Sequence, residues 1–258
     1  MVQKYMNKIL LNHSLTALTI MISALNVQAD EIKVMSSVAF KEPYLKMAAE
    51  FEKKGHVITT TWLPTVEIVK HIKAEDAGDL VIIDSKSIDS LIAQGKLKAA
   101  SKVNYVSSGI GIGVAKGATR PVVRNKEDLH NLLITTKSLA YSTGPSGAYL
   151  ASLFEQMGVS EQIKSKTKVI QGEPVGNAVK RGEVEIAFQQ IPEILSVPEI
   201  DFVGPLPEDV QYITTFAFAI PSSIPTSSPS TPVVQELIQW LKSARGSADM
   251  RAHGLEPY

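Results

Sequence analysis

The first ninety residues alternate between two hydrophobic patterns, and this alternation constrains the fold more than any other feature of the chain. Short β-branched or apolar runs, typical of strands, lie at residues 31–38, 56–62 and 79–84. Segments with apolar residues at helical spacing lie at 44–54, 66–73 and 87–94. Strands that alternate with helices form parallel sheets with helices on both faces. The sequence therefore predicts an α/β fold.

The alternation continues in the second half of the chain. Strand patterns occupy residues 105–114, 137–141, 167–171, 184–189 and 212–220. Helical patterns occupy 149–157, 175–180 and 231–243, the last after a Ser/Pro/Thr-rich linker at 221–232. A short helix is also expected within 121–132, and a helix or turn at 191–195. The glycines of GIGIGV, at 109–114, recur at two-residue spacing with no helix after them, so this segment does not match a dinucleotide-binding motif.

A loop at residues 142–147 joins a predicted strand to a predicted helix. It contains six turn-forming residues in a row, Ser142, Thr143, Gly144, Pro145, Ser146 and Gly147. Such a junction directs free backbone N–H groups, the positive end of the helix dipole and several hydroxyls toward one point. The pattern indicates a site for a small anion. An ordinary capped helix after a strand would show the same pattern.

The N-terminal thirty residues differ from the rest of the chain. Lys4 and Lys8 precede an uncharged apolar run at 15–25, and a small-residue pattern ends at Ala29. This order is typical of a secretory signal peptide, residues 1–29, cleaved after Ala29. The alternative is a membrane anchor, but the run is short for a bilayer span. We expect export to a periplasm.

Charge and cysteine content exclude several classes of function. The chain has 26 basic and 26 acidic residues, which gives no reason to expect nucleic acid or an anionic membrane as partner. It contains no Cys, so disulfides, thiol chemistry and a lipid-modified N-terminal Cys are excluded. No spacing of His, Asp and Glu predicts a metal site, and no phosphate loop or Ser-His-Asp set is present. We expect no cofactor.

Seven segments in this order are similar to those of a known family. They are FEKKGHVITTTW, VEIVKHIK, GDLVIIDS, GPSGAYLA, KRGEVEIAFQ, VGPLPEDV and a terminal GLEP. The chain resembles the periplasmic solute-binding proteins of the molybdate-binding type. This resemblance implies two lobes, with a ligand cleft between them and crossover strands near 106–108 and 212–214. The implied lobes are 30–107 and 214–258 for the first and 108–213 for the second, in a protein that is usually monomeric.

The resemblance also implies where an anion is held. The candidate ligand-binding residues, from the resemblance and the loop together, are Ser36 or Ser37, Thr65, Ser142, Thr143, Ser146, Gly147, Gly172 and Gln190. Between Ser36 and Ser37 the register leaves the choice open. Pro64 stands where the family has a Ser, and Gln190 where it has a Tyr. These changes favour a small organic polyanion, and a divergent molybdate receptor is the alternative.

Two functions remain open at this point. A looser resemblance to the periplasmic aconitate isomerases predicts a cofactor-independent enzyme that interconverts cis- and trans-aconitate by a 1,3 proton shift. The alternative is a receptor for molybdate or another small oxyanion or carboxylate, which would deliver it to an ABC permease. An isomerase needs a proton carrier in the cleft. We expect Glu173 or Tyr141 in this role, with Lys41, Glu42 and Tyr149 as less favoured candidates.

Overall fold

The computed structural model describes residues 31–228 and 230–258, and the predicted signal peptide with its cleavage site after Ala29 lies outside them. The strands are β1 (Glu31–Ser36), β2 (Val57–Trp62), β3 (Leu80–Asp84), β4 (Val103–Ser108), β5 (Ile110–Ala115), β6 (Leu139–Ser142), β7 (Thr167–Ile170), β8 (Ile186–Gln190), β9 (Ile200–Pro205), β10 (Thr214–Ala219) and β11 (Glu256–Pro257). The helices are α1 (Lys41–Glu52), α2 (Thr65–Lys73), α3 (Ser85–Ala93), α4 (Lys126–Thr135), α5 (Pro145–Gln156), α6 (Ser160–Ile163), α7 (Gly176–Lys180), α8 (Ile191–Leu195), α9 (Ser230–Leu241) and α10 (Ala244–Ala252).

These strands form two sheets, one in each lobe, which confirms the predicted two-lobed α/β fold. The first sheet has the order β11-β4-β10-β3-β1-β2, and the second has the order β7-β6-β8-β5-β9. In the first sheet β1 pairs in parallel with β2 and β3, and in the second β6 pairs in parallel with β7 and β8. The loops that follow parallel strands open at one edge of their sheet, and this edge is where α/β proteins bind ligands.

Helices cover both faces of each sheet. In the first lobe Phe51 of α1 and Leu237 of α9 belong to one buried cluster, and Ile68 of α2 belongs to another. In the second lobe Leu150 of α5 belongs to one buried cluster and Ile194 of α8 belongs to another. Each such side chain contributes about 1.5–3 kcal/mol by its removal from water. These cores fix the frame from which the loops project.

The chain passes between the two sheets at Gly109. β4 ends at Ser108 in the first sheet, and β5 begins at Ile110 in the second. The predicted single strand at 105–114 is therefore wrong. A Cβ on residue 109 would lie 3.0 Å from the side chain of Gln211, which belongs to the segment that returns to the first sheet. Gln211 also joins the two crossovers, because its amide accepts from Ile110 N at 2.7 Å and donates to Ile110 O at 3.0 Å.

Besides the four-residue α6 and the two-residue β11, two elements have no counterpart among the predictions. β9 forms an edge of the second sheet, and α10 follows α9 near the end of the chain. Helix α10 lacks an apolar stripe, since only Gly246 and Met250 of its residues are buried. The proposed lobe boundaries at 107 and 213 stay a prediction. Across residues 31–228 and 230–258, no helix combines the length and the apolar character needed to cross a bilayer.

Candidate functional site

A cleft between the lobes collects loops from both sheets. The first lobe contributes residues 37–39 after β1, together with Pro64 and Thr65 at the start of α2. The second contributes residues 142–146 between β6 and α5, residues 172–173 after β7, and the junction of β8 with α8. The cleft encloses about 640 Å³ of empty space, including the part open to solvent. Clefts of this kind, where loops meet at the strand ends of α/β sheets, are where such folds bind small molecules.

The loop at 142–147 places a helix N-terminus at the cleft. Helix α5 begins at Pro145, and its N-cap residue Gly144 forms no side-chain cap. Pro145 suits this position because its fixed φ matches a helix and its missing N–H is not needed there. Ser142, Thr143 and Ser146 all line the cleft. The first turn of α5 therefore offers unbonded N–H groups and the positive end of its dipole to an anion.

Gly147 has a packing role in this loop. It does not belong to the cleft lining, and a Cβ at this position would lie 1.6 Å from the carbonyl oxygen of Ser142. The first turn of α5 therefore lies directly against the end of β6. This close contact holds Ser146, which is 2% exposed, at the cleft wall.

A second helix N-terminus faces the cleft from the first lobe. Helix α2 begins at Thr65, and its N-cap residue Pro64 supplies no side-chain cap. The hydroxyl of Thr65 is buried and finds no hydrogen-bond partner among the described residues. A buried unpartnered hydroxyl costs free energy, which a ligand oxygen in the cleft can recover.

The two candidate serines after β1 differ in their surroundings. Ser36 is fully buried, and its hydroxyl donates to the carbonyl oxygen of Ser37 at 3.1 Å. Ser37 lines the cleft, and its Oγ accepts from Ala39 N at 3.4 Å to cap the short 3₁₀ helix that follows. The structure therefore brings Ser37, and not Ser36, to the cleft surface.

Glu173 lines the cleft, but its carboxylate is fully engaged by other side chains. Arg181 donates to both of its oxygens, at 2.8 and 2.9 Å, and Asn177 donates to Oε2 at 3.1 Å. Hydrogen bonds from Arg181, together with its charge, hold the pKa of Glu173 below its ordinary value. Gly172 beside it also lines the cleft and has a φ of +80°, a conformation that favours glycine.

Two other candidates, Tyr141 and Tyr149, lie outside the cleft lining, and Gln190 lines the cleft with its amide already paired. Tyr141 packs edge-on against Phe154, with ring centroids 5.9 Å apart. Gln190 is 2% exposed, and its amide forms a 2.7 Å hydrogen bond with Thr214 at the crossover into β10. Tyr149 donates its hydroxyl proton to the carbonyl oxygen of Val210 at 3.0 Å. These contacts make each side chain part of the local packing.

Lys41 and Glu42 lie in an adjoining depression. This depression shares Gly172 and Glu193 with the cleft and continues toward Lys180 and His253. By contrast, within the described residues no Lys or Arg lines the cleft itself. No group of three or more His, Asp or Glu side chains in the same residues offers a metal site. An anion in the cleft would therefore meet hydroxyls, amides and helix N-termini.

Glu193 is the residue that the sequence analysis missed. It lies in the first turn of α8 and lines the cleft. Removal of its carboxyl from water raises the pKa of Glu193 to about 8, although a hydrogen bond from Gln189 opposes the rise. The sequence feature that could have identified it is an acidic residue within the apolar run IPEIL, and this run begins directly after the candidate Gln190. A titratable group thus lies beside the anion donors, as an isomerase requires.

Comparisons with known proteins agree with this architecture. Residues 32–256 match the family model of the bacterial extracellular solute-binding proteins. The chain is 32% identical over 191 residues to an aconitate isomerase of Pseudomonas sp., covering 74% of this chain and 71% of the relative.

Solved structures of low sequence identity share the fold. The periplasmic molybdate-binding protein of Azotobacter vinelandii superposes with a TM-score of 0.72 at 15% identity, covering 87% of this chain and 98% of that one. A tungstate-binding protein of Desulfovibrio alaskensis G20 superposes with a TM-score of 0.63 at 11% identity, covering 89% and 99%. The matched span and the two-lobed fold agree: this chain belongs to the family of bacterial extracellular solute-binding proteins.

Proposed function

We propose that this protein is a periplasmic aconitate isomerase, which interconverts cis- and trans-aconitate by a 1,3 proton shift without a cofactor. The sequence similarity to an aconitate isomerase supports this activity. The structural observation that carries it is Glu193, a titratable carboxyl set in a cleft whose other polar groups are neutral donors or an arginine-bound carboxylate. Export, with cleavage after Ala29, is part of the same proposal.

Glu193 is the proposed proton carrier. In the forward direction its carboxylate removes a proton from the methylene carbon of cis-aconitate, and the electron pair of the broken C–H bond spreads over the neighbouring double bond and carboxylate. The resulting Glu193 acid returns the proton to the carbon two positions away, and the double bond moves. A carboxyl with a pKa of about 8 suits both steps near neutral pH, because neither of its protonation states is rare.

The donors around the cleft have a separate role, which is to hold the carboxylates of the substrate. The N-termini of α2 and α5 face the cleft from opposite lobes, and neither has a side-chain cap. Ser37, Thr65 and Ser146 add hydroxyls to these N–H groups. Donors fixed in this way stabilise the negative charge that develops on a substrate carboxylate during proton transfer. They also fix the methylene carbon relative to Glu193.

Glu173 serves this proposal as a structural residue. Its carboxylate is bound by Arg181, and its pKa is lowered. Glu173 is therefore a weak base, poorly suited to removing a proton from carbon. Tyr141 takes no part, because its ring packs against Phe154 outside the cleft. The proton-carrier role moves from these two residues to Glu193.

The alternative is a receptor that delivers a small anion to an ABC permease. Membership of the solute-binding family favours it, and so do the uncharged donors of the cleft. In either case the partner is a small anion, and we propose that the protein acts as a monomer.

The test compares turnover with binding. The purified protein is incubated with cis-aconitate, and trans-aconitate is followed by chromatography, while parallel samples are heated with molybdate, citrate or trans-aconitate. Formation of trans-aconitate in proportion to protein concentration supports the isomerase. Absence of turnover together with a rise in Tm caused by one of these anions would make the protein a receptor and identify its ligand class.

A further inference from the structure

Gln189 donates a hydrogen bond to one oxygen of the Glu193 carboxyl and so fixes that oxygen as an acceptor. Its Nε2 donates to Glu193 Oε1 at 2.7 Å, and its Oε1 accepts from the backbone N–H of Val175 at 2.7 Å. A backbone N–H can only donate, so the Val175 contact decides which end of the amide is oxygen. The other end is then an N–H donor, and it lies against Glu193.

This arrangement makes the two oxygens of Glu193 unequal. Oε1 accepts a hydrogen bond whether the carboxyl is ionised or protonated, because the amide nitrogen offers a proton in both cases. Oε2, in contrast, makes no hydrogen bond to any of the described residues. A proton on the carboxyl is therefore directed to Oε2.

We propose that Gln189 is a positioning residue that anchors Oε1 of Glu193 and so confines proton transfer to Oε2. This inference rests on the proposed isomerase function. One oxygen then removes the proton from the methylene carbon of the substrate and returns it to the carbon two positions away. The electron pair of the broken C–H bond forms the new double bond, and the electron pair of the old double bond forms the new C–H bond. Because Gln189 is 2% exposed and bonded at both ends of its amide, it can hold Glu193 in place through both steps.

Other charged groups near Glu193 must be considered in any pH measurement. Those that line the space around it are Glu173, Lys41, Glu42, Lys180, Glu199 and His253. Three of them are already paired, Glu173 with Arg181, and Lys180 and Glu199 with each other. Gln189 therefore supplies the one side-chain hydrogen bond that the structure shows on the Glu193 carboxyl among the described residues.

The test measures the titration of Glu193 itself. Protein with ¹³C-labelled glutamate carboxyls is titrated by NMR, and the Glu193 signal is identified by its loss in Glu193→Gln. In Gln189→Met the carboxylate loses its donor, so the midpoint is expected to rise by about 0.5 to 1 pH unit. Gln189→Leu also removes the donor and adds no titratable group, so it provides a second variant if Gln189→Met does not fold. Gln235→Met, at an exposed glutamine, is the matched control.

Kinetics add a readout that a purely structural role would not move. The acidic limb of the kcat/KM profile is expected to shift upward with the NMR midpoint, while KM changes less than kcat. An unchanged midpoint in the Gln189 variants would overturn the proposal, as would a uniform loss of activity with an unshifted profile. If the wild-type protein shows no turnover, the isomerase proposal fails, and the NMR titration still decides whether Gln189 controls the Glu193 carboxyl.

Discussion

Arg181 binds both carboxylate oxygens of Glu173, through Nη2 at 2.8 Å and Nη1 at 2.9 Å. This two-point contact fixes an ionised carboxylate at the wall of the cleft and leaves Glu193 as the carboxyl whose pKa lies near neutrality. Two glutamates that line one cleft therefore have different environments.

The first prediction concerns Glu173. Because its carboxylate contributes a partly exposed ion pair, we expect Glu173→Gln to lower the free energy of unfolding by less than about 1 kcal/mol. Turnover of cis-aconitate should stay within about tenfold of wild type, far from the loss of about 100-fold or more that removal of a general base causes. Denaturant unfolding and the chromatographic assay measure the two effects. A 100-fold loss of turnover with the fold intact would show that Glu173 takes part in proton transfer.

The second prediction concerns the unpartnered hydroxyl of Thr65. Thr65→Val removes a donor that a ligand oxygen would use, so the Kd for trans-aconitate should rise about tenfold or more. Stability without ligand should be unchanged or higher, because a buried polar group has been removed. Calorimetric titration measures the Kd, and Thr119→Val at an exposed position is the control. Unchanged affinity would show that this hydroxyl does not contact the ligand.

The third prediction compares two glycines of the loop at 142–147. In Gly147→Ala the new Cβ would lie 1.6 Å from the carbonyl oxygen of Ser142, so the start of α5 must move. We expect a destabilisation of about 3 kcal/mol and weaker anion binding. In Gly144→Ala the nearest atom is Ser142 Oγ at 3.5 Å, an ordinary contact, so the fold should keep its stability. Equal Tm values for the two variants would contradict the described loop.

The fourth prediction concerns pH and stability. Removal from water raises the pKa of Glu193 from its ordinary value to about 8 in the folded protein, so the folded state binds this proton more tightly than the unfolded state. The contribution of Glu193 to stability is therefore greatest at low pH and is lost as the pH rises from about 4.5 to about 8. Glu193→Gln has no such titration. The Tm of Glu193→Gln minus the Tm of wild type should therefore increase between pH 5 and pH 8. A constant difference would mean that the pKa of Glu193 is not raised in the folded protein.

The sequence predicted the parts of this protein that depend on local pattern. The strand and helix runs at 31–94 have the expected types, because each combines a clear hydrophobic period with a turn residue at its end. The same order brings Ser37, Thr65 and Ser146 to one cleft, since loops after parallel strands meet at the same edge of the sheets.

The errors concern features that depend on tertiary contacts. The strand pattern at 105–114 is continuous, yet the chain changes sheets at Gly109 because the side chain of Gln211 packs there. Tyr141 lies near the end of β6 as expected, but its ring packs against Phe154 outside the cleft, and Gln190 lines the cleft at the end of β8 with its amide bonded to Thr214. Glu193 looks like an ordinary first-turn acid in the sequence. Only its partly buried position beside Gln189 distinguishes it.

The proposed role of Glu193 as the proton carrier of an aconitate isomerase can be tested by comparing three proteins. Formation of trans-aconitate from cis-aconitate is measured for wild type, Glu193→Gln and Glu161→Gln, the last a matched change at an exposed glutamate of α6. We predict turnover by wild type and Glu161→Gln, and a loss of about 100-fold or more in Glu193→Gln with trans-aconitate binding retained. Full activity in Glu193→Gln would show that Glu193 is not the proton carrier. No turnover by the wild-type protein would show that the protein is not an aconitate isomerase.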